Sequence, residues 1–129
     1  MEMEIQTTEK TFIKQVIVMR KDLKMRRGKE IAQGSHASIA FLSKNYGRPL
    51  DEVEKKWLNE SFSKITLQVN SEQELLDIAA LAIENGLNVD LIKDSGKTEF
   101  HGNPTYTCLA IGPDYSEKID KVTGNLQLY

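Results

Sequence analysis

Phe12-Ile13-Lys14-Gln15-Val16-Ile17-Val18-Met19 is the stretch from which the fold can be read. It is dominated by β-branched and apolar residues, so apolar side chains fall on both faces of an extended chain. Such a strand is covered on both sides, which calls for helices above and below a sheet. A turn or loop follows, with Gly28 at its end, and Lys29 to Lys44 has the pattern of a helix. Gly47-Arg48-Pro49 breaks it. Leu50 to Asn59 reads as a short second helix with Trp57 and Leu58 turned inward. Ser63 to Val69 alternates as a half-buried strand should. Ser71 with Glu74 is a capping box, opening a helix that runs to about Asn85 and stops at Gly86. Asn88 to Ile92 is a third strand, Asp94 to Pro104 a loop, and Thr105 to Ile111 a fourth strand ended by Gly112-Pro113. A short helix at about Ser116 to Thr123 comes last.

The order β-α-α-β-α-β-β-α implies crossover connections and an α/β fold with helices on both faces. The last two strands are joined only by a loop, so one of them is free to run antiparallel. Residues 1–11 read as a loose tail and residues 12–129 as one domain, with no repeat or linker.

Composition sets outer limits. The chain has 129 residues, enough to bury an adequate core without disulfides or metals. Its 40% apolar and 28% charged content fits a soluble globular protein. Cys108 is the only cysteine, which excludes an intrachain disulfide and a cysteine-based metal site. The acidic, polar N-terminus is neither a secretory signal nor an Arg-rich transit peptide, and no apolar run is long enough to span a bilayer. A cytoplasmic protein with no membrane contact is expected. His101 has no partner at metal-ligand spacing, and neither a metal nor another cofactor is expected.

The net charge of −2 hides a local concentration of cations. Residues 20–29 hold Arg20, Lys21, Lys24, Arg26, Arg27 and Lys29 against the single acid Asp22. Clusters of this kind, rather than net charge, make an electrostatic footprint. Lys24, Arg26, Arg27 and Lys29 also precede or open a helix, where free N–H groups and the dipole favour an anion. The run is therefore either a phosphate clamp or a solvated charged loop, the more common fate of such runs. On the helix, Ile31, Ser35, Ile39 and Leu42 share a stripe expected to pack on the sheet. Lys29, Gln33, His36 and Ala40 share the opposite one, expected to face solvent or a cleft. A lone helical histidine such as His36 is more often structural or simply exposed.

The segment Lys93-Asp94-Ser95-Gly96-Lys97-Thr98-Glu99 leaves the end of the third strand, where open α/β sheets bind ligands. Asp94 suits a general base or an orienting group, and Thr98 a hydroxyl donor or nucleophile. An Asp-initiated turn using Gly96 for positive φ accounts for the same residues equally well. Gly96-Lys97-Thr98 is not the tail of a phosphate-binding P-loop, because Leu91 occupies the position of the required first glycine and no helix follows. A G-x-S-x-G elbow is absent, and Ser35 points about 100° away from His36 on a helix, so the two form no nucleophile–base pair.

Taken together, these segments resemble the second, archaeal and eukaryotic, family of peptidyl-tRNA hydrolases. The first block, D-L-K-M-x-x-G-K-x-x-A-Q-x-x-H-A, runs from Asp22 to Ala37. The family's D-A-G-R-T-Q loop is similar to Asp94–Glu99, and its T-V-L-x-I-G-P strand to Thr107–Pro113. The ending from Ile119 to Tyr129 is also similar. The resemblance spans roughly residues 13 to 129. It implies a three-layer α/β/α sandwich around a four-stranded mixed β-sheet, usually dimeric. It implies hydrolysis of the ester between a peptide, or N-blocked aminoacyl group, and the 3′-ribose of tRNA, which recycles tRNA from aborted translation. DNA is not an expected partner.

The resemblance carries the family's catalytic candidates to Lys29, Asp94, Thr98 and Thr107, with Gln33 and His36 beside them. Lys24, Arg26, Arg27 and Lys97 are expected to hold tRNA phosphates. The chain departs from the family's usual residues in three places. Arg26-Arg27 stands for Gly-Lys, Lys97 for Arg and Glu99 for Gln. Lys97 lacks the bidentate fork of an arginine, and Glu99 adds negative charge near the RNA. Those two features favour the competing reading, a non-catalytic RNA-binding or adaptor protein on the same fold. A protein-interaction module is a third reading, for which no residue speaks.

Overall fold

β1 is Ile13–Arg20, and its burial is complete, with all eight residues inside. The structure, a computed structural model, describes residues 12–44, 47–97 and 100–129. The proposed tail at 1–11 lies outside them. After β1 come α1 (Arg27–Ser43), α2 (Glu52–Asn59), β2 (Ser63–Val69), α3 (Glu72–Glu84), β3 (Val89–Asp94), β4 (Thr105–Tyr115) and α4 (Ser116–Thr123). The sheet order is β2-β1-β4-β3. β1 and β2 are parallel, and β4 runs antiparallel to both β1 and β3. The sheet is therefore mixed.

Alternation along the central strands sorts the core into two layers. Val16, Val18, Leu109 and Ile111 meet Leu75, Ala79 and Ala82 of α3 and Ile119 and Val122 of α4. Ile17, Met19, Cys108 and Ala110 meet Ala37 of α1 on the other face. Ile13 meets Phe41 of α1 and Trp57 of α2. Phe41 and Trp57 pack edge-on with centroids 6.0 Å apart, and the Trp57 indole donates to Ser63 O. The result is a three-layer sandwich with α1 and α2 on one face and α3 and α4 on the other.

Local signals explain where the helices start. Asp51 caps α2 and accepts from Glu54 N while Glu54 Oε1 accepts from Asp51 N, a closed capping box. Ser71 caps α3 as expected, accepting from Glu74 N, but the Glu74 carboxylate reaches Asn70 N instead of the cap residue. The α3 end at Glu84 is followed by Gly86 at φ +74, as the glycine stop requires.

Two expectations are corrected. β4 does not end at Gly112-Pro113 but continues to Tyr115. Pro113 lies where the β1–β4 register shifts, between Lys14 and Val16, so its missing N–H breaks no regular ladder. The second correction concerns α1. Its buried residues are Gln33, Ala37 and Phe41, whereas Ile31 and Ile39 are 64% and 56% exposed. Of the stripe expected to face outward, Gln33 is turned inward, while His36 stays exposed.

Two features set this rotation. Small residues, Ala37 on the helix and Cys108 and Ala110 on β4, let the backbones approach. Ion pairs fix both ends of α1 to β3, Lys29 to Asp94 and Lys44 to Asp90. With its amide hydrogen-bonded, Gln33 is buried without an unmatched polar atom. The outward apolar stripe instead borders a groove of about 560 Å³, lined also by Ile17, Met19, Trp57, Phe62 and Thr66.

Residues near Leu126–Tyr129 return along the outer edge of β2. Gln68 N donates to Gln127 O, Tyr129 N to Thr66 O, and Leu128 bridges Leu67. The Tyr129 hydroxyl then donates to Glu30 in the first turn of α1, a partnership that pushes the phenol pKa up to about 12.

Candidate active site

The C-terminal ends of β1 and β3, the start of β4 and the N-terminus of α1 meet at one end of the sheet. β3 ends in Asp94, and α1 presents Lys29 in its first turn. Lys29 Nζ lies 2.9 Å from Asp94 Oδ1, with only 15% and 11% of the two side chains exposed. Gln33, one turn on from Lys29, donates from Nε2 to the same oxygen at 3.3 Å. Its Oε1 accepts the Thr107 hydroxyl from β4 at 2.5 Å. Thr107 is fully buried. Four of the six expected catalytic residues thus form one continuous chain, Lys29–Asp94–Gln33–Thr107.

The other two stand differently. His36 is exposed on α1 and joins the chain only through a small electrostatic pull on Asp94. Thr98 lies outside the described residues, as does Glu99.

The loop after β3 is built around Asp94. Asp94 Oδ2 accepts from Gly96 N at 2.8 Å, an Asx-type turn. Gly96 has φ +85, and a Cβ there would stand 2.1 Å from Asn103 O. Gly96 O in turn accepts from Gly102 N. The turn reading of this loop is realised, and the carboxylate that closes the turn also holds the lysine.

Electrostatics follow from that geometry. The hydrogen bond from Lys29 holds the Asp94 carboxyl below the usual carboxylate range. Burial opposes this, while the Gly96 N–H and the charges of Lys29 and His36 reinforce it. A carboxylate with three donors and a depressed pKa is a good orienting group and a weak proton acceptor. Cys108, beside Thr107, is buried with its Sγ directed at Gln33 O, and burial pushes its thiol up to about 11. It is no nucleophile at neutral pH.

The basic loop leads into this site. Leu23 and Met25 turn into the core, while Lys24, Arg26 and Arg27 point to solvent. Lys24 has φ +53 and closes a turn through its N–H to Lys21 O. α1 begins at Arg27, and its cap residue Arg26 makes no side-chain cap hydrogen bond; the dipole of a helix N-terminus favours an anion. Lys97 is exposed one residue beyond Gly96.

Two participants were not singled out from sequence. Phe100 places its ring 5.9 Å from Lys29 Nζ, and nothing in the loop's spacing marks it. Arg20 lies buried at the end of β1 and pairs with Asp22. Its place directly after the apolar run Val16–Met19 was the available signal.

The arrangement offers a shielded ammonium oriented by a carboxylate, a buried hydroxyl–amide relay and an exposed cationic approach. It is suited to stabilising an oxyanion on a substrate that is itself a polyanion.

Comparison with known proteins bears on the family and the fold. The family described as Peptidyl-tRNA hydrolase PTH2 matches residues 13–129. A peptidyl-tRNA hydrolase of Nanoarchaeum equitans is 49% identical over 117 residues, covering 91% of this chain and 99% of that one. Those of Methanopyrus kandleri and Methanocaldococcus jannaschii are 48% and 45% identical over similar spans, each covering 97% or more of the relative. Among solved structures, a protein of unknown function from Agrobacterium tumefaciens C58 has a TM-score of 0.57 at 12% identity, covering 91% of this chain and 97% of its own, a likeness of fold. By the extent of these matches and the blocks that carry them, the chain belongs to the peptidyl-tRNA hydrolase PTH2 family.

Proposed function

We propose that the chain hydrolyses the ester joining a peptide, or an N-blocked aminoacyl group, to the 3′-ribose of tRNA. The observation that carries the reading is the largely buried Lys29–Asp94–Gln33–Thr107 chain, closed at its inner end by buried Gln33 and Thr107, at the mouth of a basic loop. Lys24, Arg26, Arg27 and Lys97 hold phosphates of the acceptor end, giving affinity that falls with salt. Lys29 and the N-terminal dipole of α1 stabilise the oxyanion. Asp94 orients Lys29 and, through the acceptor direction left on Oδ2 among the described residues, the attacking water. Thr107, relayed through Gln33, fixes the Asp94 carboxylate, Thr98 assists the water, and His36 serves as a proton shuttle.

In the step itself the water oxygen bonds to the ester carbonyl carbon and the bond from that carbon to the ribose 3′-oxygen breaks. One water proton goes to the 3′-oxygen. The products are a peptide acid and tRNA with a free 3′-hydroxyl. The reaction recycles tRNA from aborted translation in the cytoplasm, and no helix among the described residues is long and apolar enough to cross a membrane.

Residues 12–129 act as one domain, and the working form is a homodimer. Supporting the dimer is the exposed apolar stripe of Ile31 and Ile39 beside exposed Phe62, since a contiguous exposed apolar patch marks an interaction site. Sedimentation of the wild type and of Ile39→Asp tests this, the variant being expected to sediment as a monomer.

The deciding assay is release of tRNA from an N-blocked aminoacyl-tRNA, run beside unblocked aminoacyl-tRNA and Asp94→Ala. Selective cleavage that the variant loses supports the hydrolase. Tight, salt-sensitive tRNA binding without cleavage would instead select a non-catalytic binder, which the family match does not favour.

A further inference from the structure

We infer that Arg20 is a positioning residue that holds the tRNA-binding loop and the Thr107 end of β4 in one frame, an inference resting on the function proposed above. The regular ladder between β1 and β4 ends at Met19–Cys108. One residue on, the Arg20 guanidinium replaces it and donates from Nη1 to Tyr106 O at 3.0 Å. Tyr106 is the residue immediately before Thr107, so this contact fixes the backbone that aims the Thr107 hydroxyl at Gln33. The same guanidinium grips Asp22 with both arms, Nε to Oδ1 at 3.1 Å and Nη2 to Oδ2 at 2.7 Å. Asp22 opens the loop that carries Lys24 and Arg26 into α1. Nη1 also lies 3.7 Å from Glu72 Oε1 at the start of α3.

A planar fork with fixed donor directions can serve these partners at once, and a lysine cannot. The side chain is only 10% exposed, so it is not itself presented to a phosphate, unlike the other cations of the loop. Its charge is already spent on Asp22 and Glu72. Arg20 therefore acts through its neighbours, through Asp22 on substrate binding and through Tyr106 on the catalytic chain.

Asp22 gives a test whose sign separates positioning from simple electrostatics. Removing an acid from a cationic loop should tighten a polyanion if charge alone matters. Loss of the anchor should instead weaken it. Steady-state hydrolysis of N-blocked aminoacyl-tRNA is measured for wild type, Asp22→Ala and Arg20→Lys, at several salt concentrations, with circular dichroism to monitor folding. Asp22→Ala is expected to raise KM about tenfold, the scale of one lost charge-assisted contact, and to flatten the dependence of KM on salt because fewer phosphates are engaged. Arg20→Lys is expected to raise KM and also lower kcat about tenfold, because the Tyr106 arm is lost as well. A lower KM in Asp22→Ala, or a folded Arg20→Lys within twofold of wild type in both constants, overturns the inference. If Arg20→Lys does not fold, the Asp22→Ala result decides alone. Absence of cleavage by the wild type would overturn the hydrolase reading instead, and the same variants scored by tRNA binding would still report on the loop anchor.

Discussion

Thr107 gives its hydroxyl proton to Gln33 Oε1 across 2.5 Å, inside a region that solvent does not reach. The direction of that bond matters. Because Gln33 accepts on its oxygen, its amide nitrogen is turned toward Asp94. A side chain on β4 thereby sets how a carboxylate on β3 is held. Thr107→Val keeps the shape and removes the proton donor. It is expected to destabilise the fold by about 1–3 kcal/mol, the cost of an unsatisfied buried acceptor, and to lower kcat. Urea melts and steady-state kinetics check both.

Lys29 and Asp94 act as a unit, so their effects should not multiply. Lys29→Ala is expected to lower kcat by about 10²–10³, as loss of an oxyanion donor does. Asp94→Ala should cost a similar factor because the lysine loses its orientation. The double variant should be little worse than either single one. Fully multiplicative losses would show that the two groups contribute separately, and near-normal turnover in both single variants would end the proposed mechanism.

The depressed Asp94 pKa ties stability to acid. A carboxyl titrating lower in the folded than in the unfolded chain favours folding fully above its unfolded value of about 3.9. That contribution declines as pH falls through the folded value, where Asp94 takes up its proton. Lowering the pH from about 5 to 3 should therefore cost the wild type more stability than Asp94→Asn, whose side chain does not titrate. Chemical denaturation across that range measures the difference, and parallel losses would count against a paired Asp94.

Gly96→Ala should be far more damaging than its size suggests. The added methyl would sit 2.1 Å from Asn103 O and 2.5 Å from its carbonyl carbon, on a backbone with φ +85. Backbone atoms have no easy way to yield, so the turn that closes on Asp94 must open. Expected outcomes are a lower melting temperature and a fall in kcat comparable to Asp94→Ala. A variant with wild-type kinetics would separate the turn from the chemistry.

Cys108 should be inert in the native protein. Its thiol is buried and shifted up to about 11. At pH 8 it should resist iodoacetamide for as long as the protein stays folded and be alkylated at once in denaturant, as mass spectrometry would show.

Much of this was legible from residue patterns, and the exceptions have physical causes. The largely apolar, β-branched β1 announced a two-sided core, and Ser71 and Gly86 marked the ends of α3. Lys29, Gln33, Asp94 and Thr107 were named together, though chiefly through resemblance to a family. Spacing alone left Asp94 as either a turn or a site; in the structure it closes the turn and also pairs with Lys29. The α1 rotation was misread because an apolarity pattern cannot see a glutamine whose polar atoms are all matched, nor ion pairs from Lys29 and Lys44 to Asp94 and Asp90, partners far away in the sequence. Arg20 was counted as one cation among several, because sequence does not reveal that its charge is consumed internally. Phe100 gave no signal, since an aromatic in a loop is equally consistent with a surface or a lining.

The central place of β1 has a consequence for how the protein comes into being. β1 is the first strand, yet one of its two neighbours, β4, does not begin until Thr105. While a ribosome is making the intervening segments, an apolar strand meant for burial on both faces has only part of its cover and an open edge beside it. Such a strand is a point of vulnerability to misassociation during synthesis. A protein that we propose recycles tRNA from aborted translation therefore depends on its own translation running beyond Thr105 before its core can close.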